Sequence, residues 1–227
     1  MPMPQTSASL PRPHTLIEFG ILSASNPTIS LSEFTYTRGS EIYSEKEPIE
    51  FVYQVKSGAV RSCKLLSGGR RHIGAFHVAG DFFGLENGDV HRFSMEAMVD
   101  TIVHRVRRES LDAAAENDGT LTRDLLRMAA TNLGHAEDHM LLLGRKTSME
   151  RVAAFLIEMD KRLTTAGILA LPMTRRDIAD YLGLTIETVS RSLSHLRELG
   201  ILRFIDNSQR HIVLVDRQQL AGLDRQN

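Results

Sequence analysis

Glu187, Ser190 and Arg191 stand at i, i+3 and i+4, a spacing that places all three on one face of a helix about one turn apart. An arginine donates in a fork, a carboxylate accepts and a hydroxyl does either. The trio therefore suits recognition of base edges: O6 and N7 of guanine for the arginine, N4 of cytosine for the glutamate. Glu187 and Arg191 at i,i+4 also suit a plain solvated helix pair, so the reading depends on what surrounds them. Nearby groups that could hold phosphates are Arg175, Arg176, His195, Arg197 and Arg210, with the hydroxyls of Thr185 and Thr188; each is a weak signal by itself.

The stretch from Thr174 to Leu199 supplies the surroundings. Thr174 followed three residues on by Asp177 is a capping-box-like helix start, with aspartate where Glu or Gln is usual. The spacing predicts a helix to Leu182, then Gly183, which can reverse the chain without a Cβ penalty. Thr185 caps a second helix reaching about Leu199, ended by Gly200. Ala179, four residues before Gly183, lets the helices cross closely. Val189, six after it, fills the crossing with Ile178, Leu182 and Leu184 around it. This is a helix-turn-helix, whose second helix enters the major groove of DNA amino end first. Residues 201–205 and 210–215 flank the turn Asp206-Asn207-Ser208-Gln209 and read as a hairpin, making the unit a winged helix-turn-helix over 147–227.

Upstream, glycines punctuate short β-rich runs from Phe34 to about Val106, with Phe51, Tyr53 and Val55 before a turn at Ser57-Gly58 and Val60 and Cys63 after it. Many short strands at this spacing predict a jelly roll over 19–110. From about Leu111 apolar residues recur every three or four. Leu126, Ala129, Leu133, Ala136, Met140 and Leu143 form a seam suited to another helix. Leu121, Leu125, Met128, Asn132, His135, His139 and Leu142 form a second stripe that turns polar halfway. Two stripes imply two neighbours, the chain's own β domain and a second copy, so 111–146 is predicted to be a dimerisation helix. Residues 1–18, with Pro2, Pro4, Pro11 and Pro13, are expected to be a loose tail and no signal peptide. The fold class is α+β.

The chain has 27 basic and 28 acidic side chains, and 147–227 has eleven and ten, so phosphate contacts must come from placed cations rather than a broad positive field. The lone Cys63 excludes an intrachain disulfide framework and an all-cysteine metal site, and fits a reducing cytoplasm. It sits among strand residues, where a buried inert thiol is expected rather than a redox switch. No nucleophile elbow, phosphate loop or zinc-ligand spacing stands out, so no catalytic residue, cofactor or metal is assigned. His135 and His139 with Asp138 could be ligands, but read as seam or surface residues.

A glycine-rich β domain, a long helix and a winged helix, in that order, resemble the CRP/FNR superfamily of bacterial transcription regulators. Arg38-Gly39, Val60-Arg61, Gly69-Arg70-Arg71, Gly80-Asp81-Phe82-Phe83-Gly84 and Glu187-Thr188-Val189-Ser190-Arg191 carry the resemblance. It implies a β-roll of the cyclic-nucleotide-binding type and a homodimer on double-stranded DNA that contacts RNA polymerase. Glu187, Ser190 and Arg191 resemble the recognition helix of the FNR branch, which reads a TTGAT/ATCAA inverted repeat. The branch's iron–sulfur cysteines are absent. The family's cyclic-nucleotide pairs are broken at Gly84-Leu85-Glu86 and His91-Arg92-Phe93-Ser94. The chain is most similar to the cluster-less FixK group, which implies activation of microoxic respiration or nitrogen-fixation genes. The competing expectation is an effector-gated regulator holding a cyclic nucleotide or haem in the β-roll, with His72, His77, His91 and His104 as possible haem ligands.

Overall fold

The computed structural model describes residues 29–145 and 147–224; the expected tail over 1–18 lies outside them. Eight strands build the first domain: β1 (Ser32–Tyr36), β2 (Glu41–Tyr43), β3 (Phe51–Ser57), β4 (Ala59–Leu65), β5 (Arg71–Val78), β6 (Phe82–Phe83), β7 (Ser94–Ala97) and β8 (Thr101–Arg107). They form two antiparallel four-stranded sheets ordered β1-β8-β3-β6 and β2-β7-β4-β5, as the jelly-roll reading predicts. Between the sheets lie Tyr43, Tyr53, Val55, Val60, Phe83, Met95 and Val103, with Tyr53 stacked on Phe83 at 5.0 Å. Gly58 turns β3 into β4 at φ +91°, where an added Cβ would come within 2.5 Å of Thr101 Oγ1. Only glycine fits that turn.

The outer face of the first sheet, Val52, Phe82 and Val106, is covered by Leu111, Ala114 and Leu121. These belong to two helices rather than the one expected over 111–146: α1 (Arg108–Asn117) and α2 (Gly119–Arg145). Asp118 is extended between them. Its carboxylate accepts from the N–H groups of Thr120 at 2.8 Å and Leu121 at 3.2 Å, which starts a new helix instead of continuing the old one.

The carboxy-terminal domain begins with α3 (Ser148–Leu163), capped by a reciprocal Thr147–Glu150 box. It continues through β9 (Thr164–Thr165), β10 (Ile168–Ala170), α4 (Arg175–Leu182), α5 (Ile186–Glu198), β11 (Leu202–Phe204), β12 (His211–Leu214) and α6 (Arg217–Asp224). The wing is wider than the predicted hairpin, because β10 and β9 extend it to the order β11-β12-β10-β9. At two and three residues these strands are too short for a period to show in sequence. Val152, Phe155, Leu156 and Met159 of α3 share one core with Ile178, Leu182, Val189, Leu193, Leu196 and Ile212. That core runs on into Ile73, Phe76 and Val78 of β5, so burial of apolar surface joins the two domains.

Candidate nucleic-acid interface

The hydroxyl of Thr174 accepts from the Asp177 N–H at 3.2 Å while the Asp177 carboxylate accepts from the Thr174 N–H at 2.8 Å. The capping box therefore forms with aspartate in the third position. Gly183 closes α4 at φ 63° and ψ 35°, the left-handed region, with its N–H on the Ala179 carbonyl. Thr185 then caps α5, accepting from the Thr188 N–H at 3.2 Å. Val189, Leu193 and Leu196 are buried beneath α5, and this fixes which face looks outward.

Glu187 and Arg191 are exposed on that outward face, with Ser190 half-buried beside them. Arg191 Nε reaches the Glu187 carbonyl at 3.4 Å rather than its carboxylate. Hydrogen bonds from its own backbone N–H and from Thr185, with the positive charges of Arg191 and Arg176, hold the Glu187 carboxyl below its usual range. At neutral pH it is an acceptor only. Arg176, Thr185, His195 and Arg197 are exposed around the trio, while Thr188 and Arg210 are half-buried.

Arg175 departs from the expected phosphate-facing role. Its guanidinium lies 5.5 Å from the Phe204 ring centre, its Nη2 donates to Gln209 at 2.6 Å, and its Nη1 is buried without a partner. This arginine ties α4 to the wing. Across the wing turn the Asp206 carboxylate gathers the Ser208 hydroxyl at 2.6 Å, the Gln209 N–H at 3.0 Å and the His211 ring.

On α2, Leu126, Leu133 and Met140 are 69%, 60% and 66% exposed, and Ala129 and Ala136 are exposed between them. Leu143, expected on the same seam, is half-buried against the carboxy-terminal core, its Cδ2 3.5 Å from where a Cβ on Gly183 would lie. It fills the chain's own interior because α2 ends over the turn between α4 and α5.

A joint between the domains links residues far apart in sequence. Arg61 of β4 donates to Asp177 at 2.7 Å and to Glu96, and Arg71 of β5 reaches Asp177 at 2.7 Å and Asp180 at 2.9 Å. Asp177, 2% exposed, thus caps α4 and receives two guanidiniums. Burial pushes its carboxyl up, but the Thr174 hydrogen bonds and the two arginines outweigh this and hold it below its usual value. Beside it, the polar half of the second stripe finds its partner: His139 stacks on Tyr181 at 3.9 Å and bonds the Tyr181 carbonyl at 2.8 Å. Arg162 adds a third tie, to Asp81 and to the Phe76 carbonyl. The only hint in sequence is aspartate in place of the longer Glu or Gln.

The β-roll histidines have separate surroundings. Burial pushes the His77 ring down to about 4. His91 stacks on Tyr43 at 3.5 Å with Nδ1 2.9 Å from Glu86, His104 sits by Glu33, and His72 faces His139 at 6.4 Å. His91 and Glu86 thus close on each other across the loop between β6 and β7. Among the described residues no three His, Cys, Asp or Glu gather as a metal site. Burial pushes the Cys63 thiol up to about 11. No helix among the described residues is long and apolar enough to cross a membrane.

Comparison with known proteins agrees with this architecture. The family model described as a cyclic nucleotide-binding domain matches residues 33–118, and that described as a Crp-like helix-turn-helix domain matches 150–223. The nitrogen fixation regulation protein FixK of Azorhizobium caulinodans is 45% identical over 194 residues, covering 83% of this chain and 77% of that protein. Its namesake in Rhizobium meliloti is 42% identical over 172 residues, with coverage of 76% and 78%. The solved structure of FixK2 from Bradyrhizobium japonicum superposes with a TM-score of 0.83 at 61% identity, covering 86% of this chain and 98% of that one.

Proposed function

From the premise that the chain belongs to the CRP/FNR family and is a DNA-binding transcription regulator, we propose that it acts as a homodimer on a TTGAT-N4-ATCAA inverted repeat. The observation that carries this reading is the outward face of α5, where Glu187, Ser190 and Arg191 stand together above a buried Val189, Leu193 and Leu196. Arg191 donates to a guanine, Glu187 accepts from a cytosine and Ser190 supports either. Arg176, Arg197, Arg210, His195, Thr185 and Thr188 hold the backbone and set the register. Arg175 acts indirectly, by fixing the wing.

The bare apolar seam of Leu126, Leu133 and Met140 supports pairing of two α2 helices, with Ala129 and Ala136 allowing close approach. A two-fold dimer presents its recognition helices about one DNA turn, roughly 34 Å, apart, which matches an inverted repeat. By likeness to FixK, the regulated genes belong to nitrogen fixation or microoxic respiration, and the protein works in the cytoplasm as an activator touching RNA polymerase. It needs neither cofactor nor catalysis.

Titration of the purified protein, without added ligand, onto duplexes carrying TTGAT-N4-ATCAA and onto a scrambled control at one fixed salt concentration tests the reading. Tight binding confined to the repeat is expected. Equal affinity for both duplexes, with or without cyclic AMP and haem, overturns the assignment of the α5 face.

A further inference from the structure

At the edge of the β-roll a cavity of about 240 Å³ is lined by Ser30, Ser32, Phe51, Arg105, Arg107 and Ser110. Arg105 and Arg107 stand at i and i+2 on β8, so both side chains leave the same face of the sheet. Cross-strand pairing sets Ser32 opposite Arg105 and Phe51 opposite Arg107. The Arg105 guanidinium lies between two rings, 3.8 Å from the centre of Phe34 and 4.2 Å from that of Phe51, and Arg107 lies 5.6 Å from Phe51.

Four other arginines drawn into the protein, Arg61, Arg71, Arg108 and Arg162, each meet a carboxylate. Among the described residues, Arg105 and Arg107 meet none, and the Arg105 Nε is buried with no hydrogen-bond partner. Aromatic faces hold such a cation in place without neutralising it. Two uncompensated guanidiniums beside one cavity leave a local excess of positive charge and of N–H donors. Arg107 also caps α1 with no side-chain hydrogen bond, and Ser110 in the first turn lines the same cavity, so the positive end of a ten-residue helix adds to the field.

We propose that this cavity is a binding site for a phosphate group, either inorganic phosphate or the phosphoryl end of a small metabolite. Two guanidinium forks and three serine hydroxyls offer more donors than one carboxylate can accept, and two positive charges match a dianion. The volume admits a phosphoryl group together with a small organic substituent. The site is separate from the Glu86–His91 contact, where the family's nucleotide pairs are broken, and is independent of the DNA reading. Its occupant would bridge β1, β8 and α1, the helix that leads into α2.

Isothermal titration of inorganic phosphate and of phenyl phosphate into the full-length protein, at constant ionic strength set with chloride, tests this directly. Saturable binding of about one phosphate per chain is expected in the wild type and in Arg191→Ala, whose lost cation lies on the DNA-facing helix. At least tenfold weaker binding is expected in Arg107→Gln, whose exposed side chain is removable without opening the core; circular dichroism checks that it folds. Should that variant misfold, the double variant Ser32→Ala, Ser110→Ala is expected to weaken binding likewise. Tighter binding of phenyl phosphate identifies an organic phosphate, and tighter binding of inorganic phosphate the free ion. Absence of saturation in the wild type, or equal affinity in wild type and Arg107→Gln, overturns the proposal.

Discussion

Arg191 spends one contact on the Glu187 carbonyl and leaves the rest of its fork exposed, which is the disposition a bidentate guanine contact needs. Arg191→Ala is therefore expected to cost roughly 1–3 kcal/mol per half-site and to flatten preference at one base pair. Fluorescence anisotropy on singly substituted operators measures this; uniform weakening on every sequence would assign the side chain to phosphate instead. Cys63 gives the opposite expectation. A thiol pushed up to about 11 by burial is protonated at neutral pH and a poor nucleophile, so Cys63→Ser should bind the operator like the wild type before and after peroxide. An oxidant response that disappears in the variant would contradict this. At this scale the sequence was most informative where spacing constrains chemistry, as at Glu187, Ser190 and Arg191. It was least informative for Arg175, since nothing local reveals that Phe204 and Gln209 come round to hold it.

The helix-turn-helix was legible because its signals are local: caps at Thr174 and Thr185, a left-handed glycine between, and apolar residues at the crossing. Gly183→Ala forces a Cβ into φ 63° and is expected to destabilise the protein by roughly 1 kcal/mol without changing operator preference, read as a lower denaturation midpoint. The joint of Arg61, Arg71, Asp177 and Asp180 was invisible because its partners lie more than a hundred residues apart and only the finished fold brings them together. Asp177→Asn leaves two half-buried guanidiniums short of a charge, at a cost of about 3 kcal/mol. The pH dependence follows from the Asp177 carboxyl being held below its ordinary 3.8. Its contribution is complete above that value and is lost as pH falls through the lower folded value. Thermal unfolding of the wild type should therefore weaken more steeply below about pH 4 than that of Asp177→Asn; parallel curves would mean the joint carries no net stability.

At the scale of the molecule, two apolar stripes on one helix read as two neighbours, and one neighbour is within the chain. Leu121 is buried and Leu125 and Met128 half-buried against the β-roll side, while His139 and Leu142 turn to the carboxy-terminal domain. The break at Asp118 is hidden in the sequence, because an aspartate-glycine pair interrupts a helix without disturbing the apolar period on either side of it. What remains outward is Leu126, Leu133 and Met140, each more than half exposed along one side of a 27-residue helix. A continuous apolar stripe of that length facing water is a liability unless another surface covers it, and an identical stripe on a second copy is self-complementary about a two-fold axis. Leu133→Glu with Met140→Glu sets like charges against each other across such an axis and removes two knobs from the seam. These side chains touch no part of their own chain's core, so the variant should fold as a monomer in sedimentation velocity. It should bind a full inverted repeat no better than a single half-site. A variant that still sediments as a dimer would place the interface elsewhere, and one that is monomeric yet keeps full-site affinity would show that the DNA itself brings the two recognition helices together.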